Sequence, residues 1–447
     1  MKARENLGRF LCFLLFLLIS PALAPAADQT PLPTATPESV GLSSERLGRI
    51  GDRLREDIDN GRIPGAVVAI ARRGRLVYFE AFGYRDKANN VRMTTDTIFD
   101  LTSMTKPLTS IGALILYEEG RLALSDPASK YFPPLEKMPV AVLRINPTSR
   151  EEEAVTRTDP ATGKSSLETG QVARPMTIHD LLRHTSGLTY GVMGDTAVHK
   201  MYPAISYTAP AEMTGEEFIE KLGTLPLLHQ PGTVFDYGFS TDVLGLALEA
   251  VTKKRLSAYL QESLFRPLGM KDTMFLVGAE SATRYAKGLP TDPDTGKPQS
   301  ILDLTKPLKF DCGGACAAST AGDYLRFAQM LLNGGILNGR RIVSRKVVEF
   351  MTADHLGPGV ENRIADDIGS EYRGYTFGLG VAVRKQTGIS PAIGSIGDYR
   401  WIGAYGTEFW VDPKEQLVAV FMLAAHGETV GHYRESIRAL VMQAIID

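Results

Sequence analysis

Apolar residues recur along the chain with two different periods, and these periods divide it into strand-rich ends and a helix-rich middle. A helix is predicted over residues 43–60, where apolar side chains return every three or four positions, as Leu47, Ile50, Leu54 and Ile58. The run "GAVVAIARRGRLVYFEAFGY" predicts a hairpin with strands over about 65–72 and 75–84. A further helix is predicted over about 103–119, where a glycine follows it.

The C-terminal third returns to strand-like patterns after the helix-like segment "STAGDYLRFAQMLLNGG". Three segments are strand candidates, "YTFGLGVAVRK", "WIGAYGTEFWVDP" and "LVAVFMLA", and "HYRESIRALVMQAI" predicts a closing helix. Because strands occupy both ends, the pattern predicts one α/β domain from residues 27–119 and 318–447. Residues 120–317 carry mainly helix signals and loops, and they predict an inserted helical domain.

The first residues have the layout of a secretory signal peptide. A short apolar core over 10–19 is followed by small residues and preceded by three basic residues, Lys2, Arg4 and Arg9. The best cleavage signal ends at Ala26, so residues 1–26 are predicted to be removed and the protein exported to the periplasm or secreted. The alternative is an uncleaved membrane anchor. No comparable apolar run follows, so no membrane span is expected in the mature chain.

The charge balance argues against a nucleic-acid-binding protein. The full chain has 49 Lys and Arg against 51 Asp and Glu, which gives a formal net charge of −2 at pH 7. Residues 1–26 hold three of those basic residues and one acidic residue, so the mature chain has a net charge of −4. Neither value favours nucleic acid or another strongly anionic partner.

Two cysteines remain after the predicted cleavage, Cys312 and Cys316 in "FDCGGACAAST". In an oxidising compartment they can form a disulfide, because the glycines between them let the chain turn back. Two free buried thiols are an equally good interpretation. A metal site is not expected here, since no histidine lies nearby in the sequence.

The segment "TIFDLTSMTKPLTSIGALILYEEGRL" carries the most informative chemistry. Pro107 lacks an N–H and is tolerated only near the start of a helix, so the helix begins at or just before Ser103. Ser103 and Lys106 then lie three residues apart on one face of the first turn. A helix N-terminus disfavours a protonated lysine, which would let Lys106 act as a base towards Ser103. The alternative is that Ser103 only caps the helix and Lys106 is solvated.

Ser-x-x-Lys alone is a weak signal, but longer segments resemble the serine β-lactamase and penicillin-binding fold, and within it the family VIII carboxylesterases. The segments span nearly the whole mature chain in order: "SMTKP", "TIHDLLRHTSGL", "PGTVFDYGFSTDVLG", "LFRPLGMKDTMF", "STAGDYLRFAQMLLNGG" and "WIGAYGTEFWVDP". The resemblance implies a β-lactamase/transpeptidase-like α+β fold, in which helices flank an antiparallel sheet and an all-helical domain is inserted. The active site is expected between the two parts.

The resemblance also implies a role for each matching residue. Ser103 would be the acylated nucleophile and Lys106 its base. Tyr237, in "FDYGF", would relay the proton to the leaving group. The backbone N–H groups of Ser103 and Ala404 would form the oxyanion hole.

The third motif of the family falls on a predicted strand. "WIG", from Trp401 to Gly403, stands where the β-lactamases have Lys-Thr-Gly. "QTG" at Gln386 is not the motif, because the segment "YGTEFWVDP" does not follow it. Phe239 stands where the family often has an asparagine. Trp401 and Phe239 are therefore expected to give the substrate site apolar walls, which Ile402 narrows.

These features predict an exported serine hydrolase that cleaves short-chain carboxylic esters through an acyl-enzyme. The expected partner is a small-molecule ester, and no metal or organic cofactor is implied. A β-lactamase, D-alanyl peptidase or acyltransferase using the same site is the alternative among enzymes. A non-catalytic binding or sensor protein is the alternative of another class.

A histidine-based hydrolase is less favoured, since the sequence contains no Gly-x-Ser-x-Gly motif. His184, in "RHTSGL", is expected to be structural because it lies near a predicted helix end. His426 follows a predicted strand and is a weaker candidate for the wall of the substrate pocket.

Overall fold

An eight-stranded antiparallel sheet is the centre of the fold, and both ends of the chain contribute strands to it. In chain order its strands are β1 (Gly65–Arg72), β2 (Arg75–Asp86), β3 (Val91–Arg92), β4 (Tyr375–Phe377), β5 (Ala382–Arg384), β6 (Tyr399–Ile402), β7 (Glu408–Asp412) and β8 (Leu417–Leu423). Across the sheet the order is β4-β5-β6-β7-β8-β1-β2-β3. The computed structural model describes residues 31–148, 150–299 and 302–447, and the predicted signal peptide at 1–26 lies outside the described residues.

Helices cover both faces of this sheet and fill the middle of the chain. The described α-helices are α1 (Ser44–Asp59), α2 (Thr105–Glu118), α3 (Ile178–Leu182), α4 (Ala209–Glu212), α5 (Gly215–Gly223), α6 (Ser240–Thr252), α7 (Leu256–Leu260), α8 (Arg266–Leu268), α9 (Ala321–Leu332), α10 (Arg345–Met351), α11 (Ile364–Asp367) and α12 (Glu428–Met442). A π-helical turn, Gln261–Phe265, joins α7 to α8.

Several two-stranded ladders lie outside the large sheet. Their paired strands are Phe99–Asp100 with Ala318–Ser319, Val140–Ala141 with Thr169–Gly170, Leu143–Ile145 with Glu152–Ala154, Thr156–Thr158 with Ser165–Leu167, and Ile336–Leu337 with Arg340–Arg341. Three of these ladders are formed by the polar stretch that begins after residue 139. The middle of the chain therefore adds short strands to its helices.

Strand β1 is buried along its whole length because it has covered neighbours on both faces of the sheet. Successive side chains of a strand point to opposite faces. Val67 and Ala69 enter the larger core, which includes residues of α2 and α9. Val68 and Ile70 enter a smaller core, which includes residues of α1 and α12. The continuous apolar run in the sequence is thus explained by burial on two sides.

The turn between β1 and β2 confirms the predicted hairpin. Arg73 and Gly74 both have left-handed backbone conformations, with φ of 53° and 71°. Two such residues form the tight turn that suits the twist of antiparallel strands. The strands cover the predicted ranges, and β2 continues to Asp86.

Two of the three predicted C-terminal strands are in fact hairpins, so those predictions were too coarse. "YTFGLGVAVRK" divides into β4 and β5 around Gly380, which has φ of 92°. "WIGAYGTEFWVDP" divides into β6 and β7 around Gly406, which also has φ of 92°. Glycine adopts this conformation readily, whereas other residues rarely do, and the chain reverses direction at both points.

The middle segment packs against the sheet domain through the helix that follows Ser103. Helix α2 contacts α6 and α7, and α9 covers β1, β7 and β8. Residues 31–447 cluster as one compact unit. The predicted domain boundaries at 120 and 317 stay a prediction.

The smaller core gives a test of the packing between α1 and the sheet. Ile50 is fully buried on α1, whereas Ile446 is 54% exposed near the C-terminus. Ile50→Ala is expected to lower the free energy of unfolding by about 2–5 kcal/mol, through lost burial and a residual cavity. Ile446→Ala makes the same chemical change at an exposed position and is expected to stay within about 0.5 kcal/mol. Urea denaturation of both variants measures the difference, and equal effects would contradict this packing.

Candidate active site

Ser103 lies in a tight turn that leads directly into α2. A 3-10 turn covers Thr102–Met104, and α2 starts at the next residue. Thr102 has φ of 42°, a conformation that is rare for a β-branched residue. Such strained backbone is found where the surrounding structure imposes it, often at functional sites. The turn presents the half-buried side chain of Ser103 at the start of the helix, as predicted.

Lys106 is fully buried beneath Ser103 and has three hydrogen-bond partners. Its Nζ lies 3.2 Å from Ser103 Oγ, 3.3 Å from Tyr190 OH and 2.9 Å from the carbonyl oxygen of Gly314. The ammonium form of lysine has three N–H donors, so these acceptors satisfy it completely. The interpretation of Lys106 as a solvated residue is therefore excluded. The 3.2 Å contact is the geometry needed for proton transfer between Ser103 and Lys106.

Two tyrosines surround Lys106, and sequence reasoning identified one of them. The predicted relay, Tyr237, presents its ring to Lys106, with Nζ 4.5 Å from the ring centroid. The hydroxyl that accepts from Lys106 is that of Tyr190. Tyr190 is the second residue after the segment "HTSGL", so this matched segment was the available signal. The relay role of Tyr237 stays a prediction.

A disulfide closes the loop that holds Lys106 from the other side. Cys312 and Cys316 are joined, which decides between the two interpretations of the sequence. Within this loop the carbonyl oxygen of Gly314 accepts from Lys106, and its N–H donates to Asp242 Oδ1 at 3.0 Å. The carbonyl oxygen of Gly313 accepts from a threonine hydroxyl of α2 at 2.8 Å. The loop thus connects α2 to α6 at the position of the lysine.

The predicted oxyanion donor on Ala404 is already engaged. Its backbone N–H donates to Thr102 Oγ1 at 2.7 Å. Gly403, just before it, packs so closely that an added Cβ would collide with the carbonyl oxygen of Leu101 and with Thr102. Gly403 therefore allows the end of β6 to approach the Ser103 turn. A substrate oxygen would have to replace Thr102 Oγ1 to use the N–H of Ala404.

A cavity of ≈ 140 Å³ opens beside Ser103. The residues that line it are Ser103, Met193, Tyr237, Asp367, Ile368, Trp401, Ile402, Ala404 and Arg434. Trp401 is fully buried, and its ring lies 5.5 Å from that of Tyr237 between centroids. The structure thus brings Ser103, Tyr237, Trp401 and Ala404 to one cavity.

Two charged residues of this cavity were missed by sequence reasoning, since nothing in their local sequence marks them. Asp367, on α11, accepts the backbone N–H of Tyr237 at 3.1 Å. Burial, together with the charge of Asp236, raises the pKa of Asp367 to about 7. Arg434, on α12, donates to the carbonyl oxygen of Gly403 at 3.3 Å. The cavity therefore combines apolar walls with one acid and one guanidinium.

Phe239 is a correction to the predicted site. Its side chain is fully buried and packs against the rings of Tyr190 and Phe218, at centroid distances of 4.6 and 5.3 Å. It is not among the residues that line the cavity. The intervening Gly238 packs directly on the backbone of Leu188, so the chain enters α6 with Phe239 directed into the core. Phe239 supports Tyr190 and does not form a wall of the substrate site.

His184 and His426 differ in burial and in the residues that their rings contact. His184 is fully buried, and its ring lies 4.9 Å from that of Tyr237 between centroids, with Nε2 3.2 Å from Thr241 Oγ1. Burial and the nearby Lys106 hold the pKa of His184 well below its usual range, so it is neutral and supports the ring of Tyr237. His426 is exposed, packs on Tyr405 and is absent from the cavity wall.

Residues 31–148, 150–299 and 302–447 contain no cluster of three or more His, Cys, Asp or Glu side chains arranged to hold a metal ion. In the same residues, no helix has the length and apolar character needed to cross a bilayer.

Comparison with known proteins places this geometry in a family. The Beta-lactamase family model matches residues 50–442, which is most of the chain. The chain belongs to the beta-lactamase family. The Ser103–Lys106 pair and the antiparallel sheet agree with this membership, and the predicted β-lactamase/transpeptidase-like fold is confirmed. The protein is therefore a member of the serine hydrolases of the β-lactamase and penicillin-binding superfamily.

The chain is similar to several known proteins, two of which are named for an activity. The chain is 33% identical over 377 residues to protein Rv1367c of Mycobacterium tuberculosis, covering 83% of this chain and 88% of the relative. It is 27% identical over 399 residues to esterase EstB of Burkholderia gladioli, covering 85% and 90%. The solved structure of EstCE1, a hydrolase with promiscuous acyltransferase activity, superposes with a TM-score of 0.70 at 26% identity, covering 89% and 98%.

The disulfide loop gives a test of how Lys106 is held. Replacing both cysteines, Cys312→Ala with Cys316→Ala, removes the closure of the loop whose Gly314 carbonyl oxygen contacts Lys106. Labelling of Ser103 by a fluorophosphonate probe is expected to slow on the order of 10- to 100-fold, because small misplacements of a reacting group are costly. The labelling reaction is quenched at a series of times, and mass spectrometry of each sample gives the rate.

The control for this change is a surface variant that keeps both cysteines, Lys346→Ala, at an exposed position of α10. It is expected to be labelled at the wild-type rate. An unchanged rate in the double cysteine variant would show that the loop holds Lys106 without the disulfide.

Proposed function

We propose that this protein is an exported serine hydrolase that cleaves short-chain carboxylic esters through an acyl-enzyme. The observation that carries this proposal is the contact of 3.2 Å between Lys106 Nζ and Ser103 Oγ at the edge of a small, ring-walled cavity. The similarity to esterase EstB and to the hydrolase EstCE1 supports it. The intact pair and cavity argue against a non-catalytic binding or sensor protein.

In this mechanism Ser103 attacks the ester carbonyl while Lys106, as a neutral amine, takes the proton from Oγ. The N–H groups of Ser103 and Ala404 stabilise the oxyanion, after Thr102 Oγ1 has given up its bond to Ala404. The alcohol then leaves with a proton, for which Tyr237 is the proposed relay. Water releases the acid by the same steps in reverse.

The size and lining of the cavity support a short acyl group. Sites for drug-sized ligands usually enclose about 300–1,000 Å³, and the cavity beside Ser103 is ≈ 140 Å³. Trp401, Ile402 and Met193 supply apolar surface. Each buried CH₂ of an acyl chain gains about 0.8 kcal/mol there. A short neutral acyl chain therefore fits the site better than a large polar one.

Arg434 supports a second candidate, hydrolysis of a β-lactam or a D-alanyl peptide. These substrates carry a carboxylate, and the guanidinium of Arg434, which lines the cavity, is the kind of group that binds one. Asp367 opposes this binding, because its carboxyl lines the same cavity. The second candidate therefore depends on which of the two charges faces the substrate.

Export is part of the proposal. The first 26 residues have the pattern of a signal peptide. The disulfide between Cys312 and Cys316 also fits an oxidising compartment such as the periplasm or the exterior.

The decisive test compares a nitrophenyl butyrate with a chromogenic cephalosporin on the mature protein. We expect kcat/KM for the butyrate to exceed that for the cephalosporin by at least about 10³, a difference of roughly 4 kcal/mol. The physical reason is that a β-lactam carries a carboxylate and an amide, and an apolar ring such as Trp401 cannot hydrogen-bond to either. Burying these groups without hydrogen bonds costs free energy. Colour release under steady-state conditions gives both values.

Two variants complete this comparison. Ser103→Ala is expected to lose both activities, and retained activity would reject Ser103 as the nucleophile. Arg434→Gln is expected to leave butyrate hydrolysis within about threefold of wild type. Comparable efficiency on both substrates in the wild type, with cephalosporin hydrolysis lost in Arg434→Gln, would favour the second candidate.

The pKa of Asp367 predicts a pH-dependent preference. Because that pKa is about 7, Asp367 is neutral at lower pH and gains a negative charge as the pH rises through 7. The ionised carboxyl repels an anionic substrate. The preference for nitrophenyl butyrate over the anionic nitrophenyl hemisuccinate should therefore grow on the order of tenfold between about pH 5.5 and 8.5. The ratio of kcat/KM values across this range measures it.

Asp367→Asn should keep that ratio constant. Asp366→Asn, at an exposed neighbouring position, should keep the pH dependence with its midpoint at a somewhat lower pH, because the charge of Asp366 raises the pKa of Asp367. Asp236, Arg363 and Asp366 also act on the carboxyl of Asp367, so the two variants are compared at equal ionic strength. A ratio that changes equally in all three proteins would exclude Asp367 as its cause.

A further inference from the structure

Lys106 is linked to a buried carboxyl group by a chain of two hydroxyls. Tyr190 OH lies 3.3 Å from Lys106 Nζ, and Ser206 Oγ lies 2.5 Å from Tyr190 OH. Ser206 Oγ donates to Asp242 Oδ2 at 2.7 Å. All four side chains are buried, so the chain runs through the protein interior from α2 to α6.

When Lys106 carries the proton and Asp242 is ionised, the hydrogen bonds of this chain all have the same direction. A serine hydroxyl has one hydrogen, and Ser206 gives that hydrogen to Asp242. Tyr190 must therefore donate its own hydrogen to Ser206, and its oxygen accepts from Lys106. Such a chain can carry a proton from the lysine to the aspartate by one shift at each link.

The interior setting disfavours charge at both ends of the chain. Lys106 and Asp242 are fully buried, and the two hydroxyls keep the ammonium and the carboxylate from direct contact. Two separated charges in a medium of low polarity lose more hydration than their attraction returns. Burial raises the pKa of Asp242, although the nearby Lys106 and the bond from Ser206 act in the opposite direction.

The other groups that face Lys106 leave Asp242 as its acidic partner among the described residues. His184 is neutral, since its complete burial holds its pKa well below the usual range. Tyr237 presents its ring face, and the disulfide-closed loop presents the carbonyl oxygen of Gly314. The cavity carboxyl, Asp367, contacts the backbone of Tyr237 and not the lysine.

We propose that Lys106 and Asp242 share one proton, which rests on Asp242 in the free enzyme and leaves Lys106 a neutral amine. The transfer breaks an N–H bond of Lys106 and the O–H bonds of Tyr190 and Ser206. It forms O–H bonds on Tyr190, Ser206 and Asp242, and no electrons are exchanged. Each hydrogen bond of the chain then runs from Asp242 towards Lys106, whose free electron pair faces Tyr190. Rotation of the neutral amine about its Cε–Nζ bond directs that electron pair to Ser103.

Asp242 acts through Lys106 and does not touch the substrate, so it is a positioning residue. The proposal rests on the proposed role of Lys106 as the base towards Ser103. It explains how a buried lysine can be a neutral base without releasing its proton to solvent.

The first test is the pH dependence of Ser103 labelling by a fluorophosphonate probe from pH 6 to 9. In the wild type the pair keeps its one proton throughout, so the rate should vary by less than about threefold. In Asp242→Asn, Lys106 exchanges its proton with solvent, and the rate should rise about tenfold per pH unit over part of this range. Asp323→Asn, which changes a buried aspartate in the first turn of α9, should keep the wild-type profile.

A profile in Asp242→Asn that parallels the wild type would overturn the proposal. The test does not use ester hydrolysis. If Ser103 is labelled but esters are not cleaved, the proposed function fails and the shared proton is still tested.

The second test detects the proton itself by infrared spectroscopy at pH 9. Asp100, Asp323 and Asp367, with pKa values of about 8, 6 and 7, are then mostly ionised. Burial also raises the pKa of Glu249 and Glu408, so these groups can contribute equally to both spectra. The wild type should show a carboxylic-acid carbonyl component that Asp242→Asn lacks. If that variant does not fold, the same component in the wild type should move on labelling with ¹³C-aspartate. A wild-type spectrum without the component would overturn the proposal.

Discussion

The burial of one lysine constrains the whole active site. Lys106 is fully buried, and a buried ammonium without partners costs several kcal/mol. Its partners come from three separate parts of the chain, the loop after α3, the disulfide loop before α9 and the turn before α2 itself. The helical middle of the chain and the sheet domain therefore have to meet at this side chain. The site is formed only when both are folded.

The parts of this site that the sequence predicted are the local ones. Ser103 and Lys106 were placed on one face of a helix start by Pro107 and the helical spacing, and the structure has them there. The β1–β2 hairpin was predictable for the same reason, since its turn residues Arg73 and Gly74 lie between two apolar runs. Such features depend on a few neighbouring residues, whose conformational preferences are known.

The parts that the sequence did not predict depend on contacts between distant segments. Asp367 and Arg434 reach the cavity from α11 and α12, and no pattern around them indicates that they meet Ser103. Phe239 was assigned by its position in a motif, but its direction is set by the close packing of Gly238 on Leu188. The hairpins at Gly380 and Gly406 were missed because glycines were read as part of the apolar runs.

The joining of the sheet to the turn at Ser103 explains why the proposed oxyanion site is closed in this state. Gly403 lets the end of β6 approach the strained turn at Thr102, and the hydroxyl of Thr102 then takes the N–H of Ala404. In the absence of a substrate oxygen, this bond gives the N–H of Ala404 a partner and stabilises the close approach. A bound ester replaces Thr102 Oγ1 with its carbonyl oxygen as the acceptor of this N–H. The binding free energy gained is only the difference between these two hydrogen bonds. In the proposed mechanism the N–H of Ala404 would therefore favour the transition state over the ground state, because a full negative charge on the oxygen competes with Thr102 better than a neutral carbonyl does.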